Sequence, residues 1–340
     1  LALGFQPQAL SPGFSAPTLM ITSDISDLIH LRLSEPDARE LLSSLTPDQV
    51  DTPLFAEIVK VLRATNECPL TVAEPFLDCC GTGGSGIPHF NVSTTTAFVL
   101  AAGGVKVVKF GNRAITSQSG SFDMLEQLGI PAVVSFHHTR AIFESTGLAF
   151  LFAPQCYPAL RAFTVLRKTI GVRTIFNFVG PLLHPLHPAY RLMGVSHPKM
   201  QSHVARVLSQ DQTNHRSLIV CGEEKLDELT PFGSNRCFDV FQGVAQEMKL
   251  SPVNTLRSSH PELRYTVGEN LLLFQKMIAG KLATTPEHQF VCFNAGAGFF
   301  TAGVTSSIEE GTHLARELLA TGRVKTLVTQ VTTAYAHHAQ

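Results

Sequence analysis

The chain has 340 residues, of which 44% are hydrophobic and 16% are charged, and its formal net charge at pH 7 is −1. This composition suits a globular chain long enough for two domains, and it excludes a disordered or fibrous protein. A net charge near zero provides no overall basic field to attract nucleic acid or an anionic membrane, so a bound anion has to be held by a local site.

The N-terminal part of the chain has helical patterns and no strand pattern. The first segment, LALGFQPQALSPGFSAPTLM, has three prolines and no basic stretch, so we expect residues 1–21 to be a disordered lead, with Met20 as the natural start. Ser34 is predicted to cap one helix, and Thr46, before Pro47, to start another. Residues 22–75 are therefore predicted to form a small helical domain, which part of residues 176–192 would complete.

From Phe76 onwards, predicted strands and helices alternate. The strands are FLDCC, VKVVKFG, LAFLFAP, YRLMGVS and RSLIVCG, and each is followed by a helical or glycine-rich stretch. Residues 232–267 are predicted to be antiparallel strands and loops, and two helices follow, the second with a capping box of Ser307 and Glu310. The predicted fold class is α/β: a small N-terminal helical domain, and a large domain over residues 76–335 with a mostly parallel sheet flanked by helices.

The cysteines and histidines do not form metal-binding or disulfide patterns. The seven cysteines are odd in number and include no C-x-x-C pair, which indicates reduced thiols of a cytoplasmic protein. The adjacent pairs His137–His138 and His337–His338 lack a third ligand at metal spacing. No apolar run reaches the roughly 18 residues of a membrane span. We therefore expect neither a membrane partner nor a zinc site.

A glycine-rich stretch, DCCGTGGSGIPHFNVSTTTAF, follows the first predicted strand. Glycine lets a phosphate approach the backbone, and the next helix presents its N–H groups and the positive end of its dipole. Ser93, Thr94, Thr95 and Thr96 are expected to cap that helix and to donate to phosphate oxygens. The spacing is neither GxGxxG nor GxxxxGK[ST], and taken alone the stretch is equally compatible with a tight turn that binds no ligand.

Two further polar stretches have the composition of ligand loops. KFGNRAITSQSGS follows the next strand and carries Lys109 and Arg113, which would neutralise a highly anionic ligand beyond the strand ends. Asp227 and Glu228 are adjacent acids whose oxygens suit Mg²⁺. In isolation a hydrated acidic surface is the commoner explanation of such a pair. Arg161, Arg167 and Lys168 lie on one predicted helix, where most charges are solvated.

Together these motifs resemble those of the anthranilate phosphoribosyltransferase family. GTGGSG…FNVST, KFGNRAITSQSGS, FLFAPQCYPALR, LRKTIGVRTIFNFVGPL, LDEL and FNAGAG occur in the family's order between about Leu77 and Lys325. The resemblance implies a helical domain beside an α/β domain and a homodimer formed through the helical domain. It also implies transfer of a 5-phosphoribosyl group from phosphoribosyl diphosphate to anthranilate in tryptophan biosynthesis, with Mg²⁺ and without nucleic acid.

The resemblance also implies the binding residues. Those for phosphoribosyl diphosphate would be Gly81, Gly84, Ser85, His89, Asn91, Val92, Ser93, Thr94, Lys109, Gly111, Asn112, Arg113, Ser117 and Ser121. Those for anthranilate would be Gly81, Asn112, Tyr157 and Arg167, and those for Mg²⁺ would be Ser93, Asp227 and Glu228. No catalytic base is assigned, because the amine of anthranilate is neutral at pH 7 and positioning with electrostatic stabilisation would suffice.

The sequence departs from the family pattern mainly on the acceptor side. Ser85 replaces a usual Asp, Phe110 a His, Tyr157 the His of a His-Pro pair, Leu183–His184 a Thr-Asn pair, and His89 a small hydroxyl residue. These departures leave three alternatives open: transfer to another aromatic amine, a pyrimidine nucleoside phosphorylase-like activity, and a non-catalytic relative that binds nucleic acid. The Lys109–Arg113 loop and the acid pair favour a diphosphate donor over free phosphate.

Overall fold

A seven-stranded sheet is the centre of the fold in a computed structural model that describes residues 16–83, 90–114, 120–171, 174–251 and 265–338. Its strand order is β3-β2-β1-β4-β5-β6-β7; the first five strands are parallel, and β6 and β7 are antiparallel. The strands are β1 Leu77–Gly81, β2 Val107–Gly111, β3 Leu148–Phe152, β4 Tyr190–Gly194, β5 Arg216–Cys221, β6 Asn235–Phe241 and β7 Val244–Leu250. The predicted α/β class is confirmed.

Thirteen α-helices of the described residues surround this sheet. They are α1 Ala16–Ile29, α2 Glu35–Ser44, α3 Thr52–Arg63, α4 Val92–Ala102, α5 Ser121–Gln127, α6 Phe136–Thr146, α7 Ala153–Cys156, α8 Ala159–Ile170, α9 Pro198–Ser209, α10 Val267–Ile278, α11 Pro286–Thr301, α12 Ile308–Ala320 and α13 Arg323–His338. Short 3₁₀ turns lie at Ile175–Asn177, Gly180–Leu183 and Glu223–Lys225. Within these ranges, no helix combines the length and apolar character that crossing a membrane requires.

The parallel strands are buried on both faces, and alternate residues enter two different cores. Val107 packs in a cluster with α4 and α10–α13, whereas the next residue, Val108, packs in a cluster with α1–α3 and α9. Leu192 and Met193 divide between the two clusters in the same way. Because both faces of each strand are buried, most residues of each strand are apolar, and these strands read as nearly continuous apolar runs in the sequence.

The N-terminal helices differ from the prediction at two boundaries. Ser34 caps α2 as predicted, with its hydroxyl accepting from the amide of Asp37. The predicted start at Thr46 is wrong: residues 47–49 form a turn, and α3 begins at Thr52 with Asp51 as its cap. The Asp51 carboxylate accepts from the Leu54 amide at 2.9 Å, so the acidic side chain provides the better cap. The first helix begins at Ala16, inside the segment expected to be a disordered lead.

The C-terminal half contains the predicted antiparallel pair and a modified cap. Residues 235–250 form the β6–β7 hairpin, and residues 252–264 lie outside the described part of the chain. Ser307 caps α12 by accepting from the Glu310 amide at 3.1 Å. The return bond of the predicted capping box is different, because the Glu310 carboxylate accepts from the amide of Ser306 at 2.9 Å.

Candidate active site

The glycine-rich loop and the acidic loop meet at the carboxyl end of β1. The amide of Gly83 donates to Asp227 Oδ2 at 2.6 Å. Gly83 has φ 66°, which is the left-handed region that favours glycine. A Cβ on Gly81 would overlap the Asp227 carboxylate. Both glycines are therefore needed for this close approach, and two of the loops predicted from the sequence converge.

The acidic loop is seated on β4 and held by two buried amide side chains. A Cβ on Gly194, the last residue of β4, would overlap the carbonyl group of Asp227. The Asn294 side chain on α11 pairs with both the amide and the carbonyl of Leu229, at 3.0 and 2.9 Å. Asn235 accepts from the amide of Thr230 at 2.7 Å. Asp227 and Glu228 are consequently 3% and 6% exposed, so the pair is a buried structural feature and not a hydrated surface.

Lys109 lies between the glycine-rich loop and the N-terminus of α4. Its Nζ donates to the carbonyl of Cys79 at 2.5 Å and to Ser93 Oγ at 3.3 Å, and the residue is only 2% exposed. These two described partners are uncharged oxygens. A buried ammonium without a carboxylate in direct contact is costly, and a bound anion supplies the missing countercharge. Lys109 is therefore a buried cation whose surroundings suit an anionic ligand.

The start of α4 differs from the predicted cap. The N-cap position is Asn91, and Ser93 lies in the first turn of the helix. Thr94, Thr95 and Thr96 are at most 1% exposed, so they fill the core and do not cap the helix. Val92, another predicted contact, is also buried. Ser93 Oγ accepts from Lys109 Nζ at 3.3 Å.

Asn91 joins the two predicted phosphate loops. Its backbone amide donates to Asn270 Oδ1 at 2.8 Å, and its Nδ2 donates to the carbonyl of Gly120 at 3.3 Å. The second loop is closed by Asp123, whose carboxylate accepts from the amides of Ala114 and Gly120 at 2.8 and 2.7 Å. Asn91 therefore joins the ends of the two loops, Asn270 of α10 holds Asn91, and Asp123 of α5 closes the second loop.

In the second loop, one hydroxyl and one cation already have partners within the protein. Ser121 Oγ donates to the carbonyl of Asn112 at 3.1 Å, and a Cβ on Gly111 would overlap the Ser121 hydroxyl. The guanidinium of Arg113 forms an ion pair with Glu126 at 2.6 Å, which raises the pKa of Arg113. Arg113 has to leave or share Glu126 if it is to bind phosphate. Four predicted contacts, Gly84, Ser85, His89 and Ser117, lie outside the described residues.

Three residues that depart from the family pattern form one aromatic cluster. The Phe110 ring lies edge-on to Tyr157 at a centroid distance of 6.1 Å and packs against His184 at 5.5 Å. Tyr157 is 3% exposed, and burial raises its pKa. The structure therefore places Tyr157 in the core against Phe110, where its ring contributes packing.

Arg167 lies on α8 against two aromatic rings. Its guanidinium carbon is 5.7 and 5.6 Å from the ring centroids of Phe163 and Phe176. Burial lowers the pKa of Arg167 to about 10, and its buried Nε has no hydrogen-bond partner among the described residues. A guanidinium with this environment suits a carboxylate ligand.

His184 makes the stability of the fold sensitive to acid. Burial lowers its pKa from 6.5 to about 4, and the neutral ring is held by Val108 O and by the Leu186 amide. Between these pH values the unfolded chain binds a proton that the folded chain does not, so stability falls as the pH falls. We expect the free energy of unfolding of the wild type to lose about 3 kcal/mol more than that of His184→Asn between pH 7 and pH 4. Urea titrations across this range would contradict the prediction if the two pH profiles were parallel.

Four residues that hold the loops are not predicted from the sequence. None of them is predicted to bind a ligand, but each fixes a loop whose residues are. They are Asn270, Asn294, Asp123 and Gly194. Only Asn294 gave a signal, as a polar residue within the otherwise apolar FNAGAG run. Two glycines of this run, Gly296 and Gly298, lie where a Cβ would overlap α12 and Leu100, so they let α11 pack closely on its neighbours.

Comparison with known proteins identifies relatives over most of the chain. Residues 73–325 match a protein-family model described as "Glycosyl transferase family, a/b domain". The anthranilate phosphoribosyltransferase of Lactococcus lactis subsp. lactis is 39% identical over 313 residues, covering 88% of this chain and 90% of that protein. The enzyme of the same name from Laribacter hongkongensis is 37% identical over 260 residues, covering 76% of this chain and 75% of that protein.

Solved structures agree with these sequence matches. The crystal structure of anthranilate phosphoribosyltransferase from Thermus thermophilus has a TM-score of 0.83 at 34% identity, and the match covers 94% of this chain and 95% of that one. The Saccharomyces cerevisiae enzyme, in complex with PRPP and Mg, has a TM-score of 0.82 at 22% identity and covers 94% of this chain and 93% of that one. At that identity the yeast structure establishes likeness of fold.

Proposed function

The chain belongs to the anthranilate phosphoribosyltransferase family, and on that premise we propose that it transfers a 5-phosphoribosyl group from phosphoribosyl diphosphate to anthranilate. The products are diphosphate and N-(5-phosphoribosyl)anthranilate, as in tryptophan biosynthesis. The observation that carries the proposal is the convergence of Gly83, Lys109 and Asp227 at one edge of the sheet. A cation, backbone amides and carboxylates in one place suit a phosphorylated sugar and its metal ion.

The chain's own groups supply most of the stabilisation that this reaction needs. Cleavage of the anomeric bond leaves negative charge on diphosphate, and the buried ammonium of Lys109 is already desolvated there. The N-terminus of α4 directs its amides and the positive end of its dipole to the same edge of the sheet. The acceptor amine is nucleophilic without deprotonation. Positioning of donor and acceptor is therefore the main task of the protein.

The acidic loop fits Mg²⁺ as the metal of this site. Two adjacent carboxylates, each at least nine-tenths buried, and the hydroxyl of Ser93 form the hard oxygen donor set that Mg²⁺ prefers. Asp227, Glu228 and Ser93 are the residues proposed to hold it, directly or through water. When bound, the ion would neutralise phosphate oxygens of the donor.

Removal of one carboxylate should weaken Mg²⁺ binding measurably. We expect Asp227→Asn or Glu228→Gln to raise the Mg²⁺ concentration for half-maximal activity about tenfold or more, since tenfold corresponds to only about 1.4 kcal/mol. Glu223→Gln is the control, because Glu223 is an exposed acid only a few residues away. Activity would be titrated with Mg²⁺ after treatment with a chelator. If the Mg²⁺ concentration for half-maximal activity were the same in the wild type and in both variants, the assignment of these residues to the metal site would be wrong.

The acceptor is proposed to be anthranilate, an aromatic amine that carries a carboxylate. Arg167 supports this assignment because it is a desolvated cation without a carboxylate among its described contacts. Phe110 and Tyr157 lie in the same apolar core as Phe163 and Phe176, the two rings that Arg167 contacts, and His184 packs on Phe110. Another aromatic amine is the second candidate, and these departures from the family pattern are the observation that favours it.

The direct test is an assay with purified protein, Mg²⁺ and phosphoribosyl diphosphate. Anthranilate fluorescence is expected to fall, with one diphosphate released for each anthranilate consumed. Diphosphate release with other aromatic amines, but not with anthranilate, would indicate the second candidate. No release with any amine, at high enzyme concentration and with a folded protein, would contradict a phosphoribosyltransferase. Cleavage of pyrimidine nucleosides by free phosphate would then support the phosphorylase alternative.

We also propose a cytoplasmic location, a homodimer and the predicted two-domain division. Support for the location comes from the seven cysteines, all of which are free thiols. Support for the domain division at about residue 75 comes from α1–α3, which precede all seven strands. Sedimentation of the purified protein would test the dimer.

A further inference from the structure

Two cysteines from distant parts of the sequence meet at the junction of α3 with the sheet. Cys68 lies in the irregular segment between α3 and β1, and Cys156 is the last residue of α7. The amide of Glu67 donates to the carbonyl of Cys156 at 2.8 Å, which holds the two segments side by side. Both cysteines pack in the same apolar cluster, and their thiols are close enough to affect each other's acidity.

The two thiols differ in exposure and in acidity. Cys68 is half-buried and reachable from solvent, whereas Cys156 is fully buried. The hydrogen bond from Cys156 lowers the pKa of Cys68. The same bond, together with burial, raises the pKa of Cys156. Cys68 is therefore the reactive thiolate, and Cys156 is positioned to resolve an oxidised Cys68.

The other five cysteines do not share this arrangement. Burial is the main cause of a raised pKa at each of them: Cys79, Cys80, Cys221, Cys237 and Cys292. Cys221 and Cys237 lie on paired strands, but Cys237 is opposite Val220. Because neighbouring residues of a strand point to opposite faces, these two thiols face away from each other.

We propose that Cys68 and Cys156 form a reversible disulfide when the protein meets a hydroperoxide. The Cys68 thiolate attacks a peroxide oxygen, the O–O bond breaks, and Cys68 becomes a sulfenic acid while hydroxide leaves. The Cys156 sulfur then attacks Cys68 Sγ, and its proton leaves with the departing oxygen as water. In balance, two thiols and one hydrogen peroxide give one disulfide and two waters.

The fold can accommodate this bond because only one partner sits in regular structure. Residues 66–73, which contain Cys68, form neither helix nor strand. The disulfide would tie this segment to α7, one residue before Tyr157, whose ring packs on Phe110. Its formation does not depend on the transferase reaction, so the two proposals are tested separately.

The test uses the full chain, reduced, freed of reductant and treated with hydrogen peroxide. Remaining thiols are blocked with N-ethylmaleimide, and the protein is digested without reduction for mass spectrometry. We expect a peptide pair joined through Cys68 and Cys156 that dithiothreitol separates. In Cys156→Ser the crosslinked pair should disappear, and dimedone should capture the sulfenic acid at Cys68. Alkylation of Cys68 at pH 7 should be several-fold slower in Cys156→Ala, since alanine, unlike serine, offers the Cys68 thiolate no donor.

Cys221→Ser is the matched control, and it should form the same crosslink at the wild-type rate. Circular dichroism before and after oxidation establishes that each protein is folded. The proposal is overturned if folded wild type keeps both thiols open to N-ethylmaleimide after peroxide treatment. It is equally overturned if Cys68 is found joined to a different cysteine.

Discussion

Replacement of Lys109 by methionine is expected to lower kcat/KM by about 10²–10³-fold without destabilising the fold. The loss follows from removing a desolvated cation that we propose to face the leaving group, and its size is that seen when one preorganised electrostatic group is deleted. The fold should tolerate the change because Lys109 is 2% exposed and its described partners are neutral oxygens. Methionine keeps the apolar stem and removes the cost of burying the charge. Steady-state kinetics and thermal unfolding measure the two effects.

Lys106→Met is the matched control for this variant. Lys106 lies three residues earlier, on the approach to β2, where its amine is 3.8 Å from Glu74 and over the ring of Phe143. Its side chain is 40% exposed, and such surface pairs contribute little to stability. Activity should remain close to that of the wild type. If the Lys109 variant kept activity within threefold of this control, the buried amine would have no part in the reaction.

The convergence of the loops was predictable because it follows from topology. In a parallel sheet, the carboxyl ends of all strands reach one edge, so polar loops after β1, β2 and β5 have to be neighbours. Short apolar runs predicted the strands, and glycines marked the ends of the helices that follow them. The hydrogen bond between Gly83 and Asp227 is the local result of that arrangement.

Contacts between distant segments could not be predicted in the same way. The last helix, α13, contains many β-branched residues, and its formation depends on burying Val331 and Tyr335 in the core that it shares with α4 and α12. Tyr335 accepts from the amide of Phe150 at 3.0 Å, a contact across 185 residues. Local propensity gives no indication of such a partner.

The same limit applies to several site residues. Arg113 was expected to bind the donor, but its ion pair with Glu126 is a tertiary contact that spacing does not reveal. Tyr157 was expected at the acceptor, yet its ring is in the core against Phe110. Asn294 supports the acidic loop from α11, 65 residues away in sequence from Leu229. Motifs identify the types of group in a site, whereas the orientation of each depends on packing.

Gly194 provides the sharpest test of how the acidic loop is placed, because its substitution should damage folding and chemistry together. A Cβ there would overlap the backbone carbonyl of Asp227, which cannot rotate away as a side chain would. We expect Gly194→Ala to lower the free energy of unfolding by about 3 kcal/mol, the upper part of the range for overpacking. In the folded fraction kcat/KM should fall about 100-fold, since a shift of about 1 Å in a positioning group has that effect. Gly268→Ala is the control, because nothing lies within 4 Å of its added Cβ and alanine favours the helix α10. Its stability should be unchanged or raised and its activity retained.

A Gly194→Ala protein with wild-type stability and kinetics would mean that the Asp227 loop is not seated on β4, and the proposed metal site would lose its support.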